Sequence, residues 1–149
     1  MKKIIAAFLI FFSVTQAQAE KLSAADFTVS IELQDNATGA CWTNLKETRE
    51  YAEEKLQMKG FSLGDFKKAY ADKNQYTLLI TVTSNRNIKN YNLCEGSVNV
   101  SFETKVLIHE KEHLARLAGL QTAGINIRWN NTTVALVQMT LDSLDDHFH

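Results

Sequence analysis

Residues 97–106, SVNVSFETKV, set Val98, Val100, Phe102, Thr104 and Val106 against Asn99, Ser101, Glu103 and Lys105. Successive strand side chains point to opposite faces, so this alternation predicts a strand with one buried face. DFTVSIELQ (26–34) repeats the pattern, with Phe27, Val29, Ile31 and Leu33 facing inward. QYTLLITVTS (75–84) is more evenly apolar and β-branched, which suits a central strand.

Two stretches carry the helical period instead. In TNLKETREYAEEKLQMKG (43–60), Leu45, Thr48, Ala52 and Leu56 share one face, and Gly60 stops the helix. Asn44 is placed to cap it, with Glu47 completing a capping box. In NTTVALVQMTLDSLDDHF (131–148), Val134, Val137, Leu141, Leu144 and Phe148 recur at three- and four-residue intervals, predicting an amphipathic helix docked on a sheet. DNATGAC (35–41) reads as a turn, NRNIKNYNLCEG (85–96) as a polar loop, and 61–75 as an ambiguous return across the core edge.

The order is β-α-β-β-(β)-α. It predicts a small α+β single domain: a mostly antiparallel sheet of three to four strands with two helices, set on one face. At the level of pattern it looks like the small periplasmic α/β domains of the TolB-amino-terminal type. That resemblance implies a helix, a strand, a long hairpin and a closing helix packed as one unit, and fold analogy of this kind carries no function.

The amino terminus changes the picture by setting the compartment. Lys2 and Lys3, the apolar run 4–14 and Ala17-Gln18-Ala19 form a secretory signal peptide over 1–19, too short for a stable span. The globular domain is then 20–149, with no cysteine at its start to take a lipid anchor and no later run long enough to cross a bilayer. A periplasmic or secreted location is expected. The chain has 16 basic and 17 acidic side chains, and two of the basic ones lie in the leader. No basic stripe invites nucleic acid, and nothing suggests a strong pull toward anionic lipid. Cys41 and Cys94 both follow the leader, and two cysteines in an exported chain pair. The C-x-x-C of a redox centre is absent.

One motif carries catalytic chemistry. His109-Glu110-Lys111-Glu112-His113 is an H-E-x-x-H. On a helix, His109 and His113 would share a face and bind one zinc, and Glu110 would act as general base on a metal-bound water whose pKa falls toward ~7. In this stretch the chain resembles the zincin metallopeptidases, with Val106, Leu107 and Ile108 standing where that family's helix begins. The resemblance covers about ten residues and implies zinc and a hydrolase. Arg116 and Gly119 stand where metzincins carry Gly and His, and no glutamate follows Glu112. A third ligand would therefore fall to Asp142, Asp145 or Asp146.

The alternation feeding the motif argues for a different geometry. It runs from Val98 to Ile108, so a strand arrives at His109. A hairpin turning at Glu110-Lys111 would set His109 opposite Glu112 and Ile108 opposite His113, with 114–129 as the return strand. A helix from Val106 would leave almost no connection after the strand. The hairpin is the favoured reading.

Two polar segments remain. The loop carrying Arg86, Lys89 and Tyr91 holds more hydrogen-bonding groups than a connection requires, which marks a candidate recognition loop. Arg128-Trp129-Asn130-Asn131 reads either as a helix start or as an aromatic surface anchor. Small size, export, one staple and no complete catalytic set together suggest a non-enzymatic binding or accessory protein without a cofactor. An envelope-assembly factor, or an inhibitor or immunity protein acting on another exported protein, would fit. The alternative is a small zinc hydrolase.

Overall fold

The computed structural model describes residues 21–65, 75–89 and 91–149. The elements run β1 (Thr28–Ala37), α1 (Leu45–Met58), β2 (Ser62–Leu63), β3 (Gln75–Asn87), β4 (Leu93–Ile108), β5 (Lys111–Asn126) and α2 (Asn130–Asp142). The five strands form one sheet in the order β2-β1-β3-β4-β5. The expected leader over 1–19 lies outside the described residues, as does most of the ambiguous 61–75 segment, apart from the short β2 and its neighbours. Among the described residues no helix is long and apolar enough to cross a membrane.

The α+β class holds, but the sheet has five strands and is mixed. β1 is parallel to both β2 and β3, while β3, β4 and β5 form an antiparallel meander. The reason is the crossover. α1 carries the chain back along the sheet, so β2 and β3 run in the same direction as β1. A period-2 pattern marks a strand without giving its direction.

The α1 face forms as the spacing implies, with Thr48, Ala52 and Leu56 buried and Gly60, at φ 91°, just past the helix end. The capping box does not form. Asn44 occupies the cap at φ −105°, ψ 41°, outside the extended geometry that aims a cap side chain, and its side chain makes no capping bond. α2 is shorter than the predicted 131–148. It ends at Asp142 and passes into a 3-10 turn over Ser143–Asp146. Val137, Leu141, Leu144 and Phe148 of the predicted stripe are buried and Val134 is half-buried, and the buried face is widened by Thr133, Leu136 and Thr140 because α2 packs on α1 as well as on β4 and β5.

The core lies between these helices and one sheet face. Val29 and Ile31 of β1, Leu78, Ile80 and Val82 of β3, and Val98, Val100 and Phe102 of β4 are all buried there. At the end where β1 begins, Phe27, Phe61, Tyr76, Phe102 and Phe148 interlock, with Tyr76 stacked on Phe102 at 4.8 Å. At the opposite end, Trp42 and Trp129 are buried with the Cys41–Cys94 disulfide, whose Cα atoms are 5.6 Å apart. On the other sheet face the strands present small polar groups, among them Ser30 and Thr77 (3.1 Å apart) and Thr81, which donates to Gln34.

The segment 85–96 is not a loop. β3 continues to Asn87 and β4 starts at Leu93, and in the turn between them Tyr91 and Asn92 both have φ 57°. Polar composition concealed strand here, because of the strand residues 85–87 and 93–96 only Cys94 is buried, so no run of alternating apolar side chains is needed.

Candidate binding surface

The H-E-x-x-H lies on a β-hairpin. His109 and Glu110 are the two central residues of the turn, at φ 49° and 64°, and Ile108 pairs with Lys111. The turn is therefore one residue earlier than Glu110-Lys111. His113 faces Val106, and Leu107 faces Glu112, which corrects both expected pairings. Two left-handed residues in a two-residue hairpin are the geometry of a type I′ turn, whose twist matches that of the flanking strands. The helix that would aim both histidines at one zinc is absent. Among the described residues no three His, Cys, Asp or Glu side chains converge to hold a metal.

Nor do the aspartates approach this turn. Asp145 is ion-paired to Lys59, which also lies 4.0 Å from Asp142, and the Asp145 carbonyl accepts from Lys21. These cations offset the negative charge crowded at the carboxyl end of α2, where the helix dipole disfavours it.

The recognition candidates sit at the disulfide end of the sheet. Arg86, near the end of β3, donates from Nε to the Gly39 carbonyl, from Nη1 to Asn92 (2.7 Å) and from Nη2 to Ala40 (3.2 Å) and Ile127 (3.5 Å). One guanidinium thus ties together the turn after β1, the β3–β4 turn and the segment after β5. Among the described residues it has no carboxylate partner, so its charge is solvated by carbonyl dipoles and left unneutralised. Its planar fork suits this task better than a lysine would.

The same end is fastened from the other side. The Trp129 N–H donates to the Cys41 carbonyl (2.8 Å), and the Asn130 side chain exchanges hydrogen bonds with the backbone N–H and hydroxyl of Thr43. The Trp129 indole donates to the Ser84 hydroxyl at 2.9 Å, and that hydroxyl in turn bonds the Glu95 carbonyl. Trp129 is 3 % exposed, so it begins a helix and is not a surface anchor.

Between these fastenings lies an open cleft of about 580 Å³. Arg86, Asn92, Asn126, Arg128, Asn130 and Asn131 supply its polar groups, and no acidic side chain lines it. Arg128 is exposed and makes no ion pair or hydrogen bond among the described residues. The uncapped amino-terminal turn of α2, which begins at Asn130, adds its partial positive charge to the same cleft. Exposed Ile127 lines it, and in the adjoining β3–β4 turn Ile88 (82 %) and Tyr91 (93 %) stand exposed beside Glu95, whereas Ile125 pairs with Glu95 on the opposite sheet face. Lys89, also exposed, stands in the same turn as Ile88 and Tyr91. The arrangement can accept an anionic group and cover it with apolar surface.

The structure thus gives Arg86, Lys89 and Tyr91 different roles. Arg86 is a clasp that also charges the cleft, whereas Lys89 and Tyr91 project from the turn. Sequence reading singled out the Arg128 segment but not its junction with Arg86, and it missed Asn126, Ile125 and Ile127. The only available signal was their spacing in a strand that ends in bare apolar residues.

No family model and no curated protein matches the chain. Among solved structures it is similar to a variant PelC dodecamer from Paraburkholderia phytofirmans, at 13% identity over 84% of this chain and 92% of that one, with a TM-score of 0.49. It is also similar to a minor lipoprotein from Acinetobacter baumannii, at 14% identity over 83% and 87% of the two chains, with a TM-score of 0.32. A lipoprotein from Neisseria meningitidis superposes over 80% of this chain and 99% of that one at 13% identity, with a TM-score of 0.31. Superposition at this level carries no argument about function.

Proposed function

We propose that the chain is an exported, non-enzymatic binding or accessory protein that engages another exported protein through its disulfide end. An anionic, carboxylate-bearing segment of the partner enters the cleft, and Ile88, Tyr91 and Ile127 cover it. The observation that carries this reading is the cleft itself, which is lined by Arg86 and Arg128 and by no acidic side chain, Glu95 standing in the adjoining hollow. The disulfide supports export, because such bonds persist in oxidising compartments. The reading needs no cofactor. The rival zinc hydrolase would require His109 and His113 on one helix face, and they stand on a hairpin.

The test uses titration calorimetry with acidic and basic peptides of equal length. Binding of the acidic peptide, weakening with salt and lost in Arg128→Glu, is the expected result. Equal affinity for both peptides, or an unaffected Arg128→Glu, overturns the reading. Stoichiometric zinc that is lost in His113→Ala would restore the rival.

A further inference from the structure

β5 is the last strand of the sheet, so its outer edge is unpaired among the described residues. An edge strand of 16 residues presents a row of free backbone donors and acceptors, which proteins ordinarily blunt with charges, proline or bulges. The first half of β5 follows that rule. It carries Lys111, Glu112 and Arg116, and a bulge separates Arg116, opposite Glu103, from Ala118, opposite Phe102. The second half, AGLQTAGIN (118–126), has no charge, no proline and no bulge.

We infer that Ala118–Asn126 is a self-association edge, which pairs antiparallel with the same segment of a second copy about a two-fold axis at Thr122. The residue pattern is complementary to itself only in this register. Gln121 falls opposite Ala123, Leu120 opposite Gly124 and Ile125 opposite Gly119, so each large apolar side chain meets a glycine. Leu120 is 36 % and Ile125 66 % exposed in the single chain, so both have surface to lose. A Cβ placed on Gly124 would touch nothing within 4 Å, which leaves room for Leu120 of the second copy. The Arg116 stem lies over Gly119 and offers Ile125 an apolar contact. Sliding the register by two residues sets Leu120 against Thr122 or Asn126 and loses both fits. Charge agrees: the paired run is neutral, and Arg116 just beyond it is held by Glu103 at 3.2 Å.

The pairing joins the two sheets into one, and it repeats the same patch on both partners, as a closed two-fold requires. About nine residues at ~3.3 Å each give some 30 Å of shared edge. It does not use the Arg86–Arg128 cleft and stands independently of the function proposed above.

Sedimentation equilibrium of the disulfide-bonded protein at tens of micromolar tests it. The wild type is expected to be a dimer. Gln121→Lys with Ala123→Lys sets lysine against lysine twice across the axis and weakens association roughly tenfold or more. Gln121→Lys with Ala123→Glu sets opposite charges in the same places and restores it, while Gln121→Lys alone remains close to wild type. Both positions are exposed, so circular dichroism of each variant should match the wild type. A monomeric wild type, or a dimer indifferent to the double lysine variant, overturns the proposal. Failure of the lysine–glutamate pair to restore the dimer, with folding intact, overturns the register and with it the two-fold at Thr122.

Discussion

Replacing Cys41 and Cys94 together by alanine should destabilise the protein mainly by releasing its unfolded chain. The bridge spans a sequence separation of 53. Closing a loop of that length removes about 14 cal/mol/K from the denatured ensemble, or about 4 kcal/mol at 25 °C. Both sulfurs are fully buried, so their loss adds a small cavity cost of roughly 1 kcal/mol. Against a typical total of about 5–15 kcal/mol this is a large fraction. At about 3–5 °C per kcal/mol, the melting temperature should fall by about 15–25 °C. The native end should nonetheless hold below that melt, because Arg86 joins the same segments through four carbonyls and Trp129 remains tied to Ser84. The near-ultraviolet tryptophan signal should therefore survive in the variant. Urea unfolding read by circular dichroism measures both the free energy and its slope, and the slope should steepen because the freed chain exposes more surface. A loss under about 1 kcal/mol with an unchanged slope would refute the loop-closure account, since it would mean that the unfolded chain already holds position 41 near position 94.

Two further predictions follow from particular residues. His109 and Glu110 occupy left-handed positions that favour Asn and Gly, so His109→Asn with Glu110→Gly should raise stability by about 1 kcal/mol, read as a higher Tm; an unchanged or lower Tm would argue against a type I′ turn there. Burial raises the Tyr76 hydroxyl above its ordinary value of 10.0. With the folded value above the unfolded one, its contribution is complete below pH 10 and is lost as pH climbs from there through the raised value. Tyr76→Phe should flatten that part of the alkaline decline in melting temperature, and a decline of the same slope in the variant would show that Tyr76 is not its source.

Much of the fold was legible because it depends on local period. The alternation at Val98–Val106 and at Phe27–Leu33, and the spacing of Thr48, Ala52 and Leu56, each state which face is wet and which is dry, and the chain obeys. The pairing of Cys41 with Cys94 was legible for a simpler reason: two cysteines allow one bridge. The hairpin at His109 was readable as well, because an alternation running into the motif leaves no room for a helix. Its turn was misplaced by one residue, since Glu-Lys and His-Glu are equally poor turn sequences and only the register with β4 separates them.

Other features depended on residues far apart in the chain. Strand direction was one, because no side-chain pattern records that α1 returns the chain to run parallel to β1. The extension of β3 to Asn87 and of β4 from Leu93 was another, because there only Cys94 is buried and no apolar alternation marks the strands. Arg86 was read as a surface recognition residue, and its carbonyl partners, at Gly39, Ala40, Asn92 and Ile127, could be found only once three segments met. The cleft and the free edge of β5 arise in the same way. The amino-acid sequence by itself determined the class of the domain, its staple and the faces of its elements, since these follow from periods of two to four residues. Tertiary structure alone decided which charges share a cleft and which edge stays open, since both depend on the order in which the strands assemble.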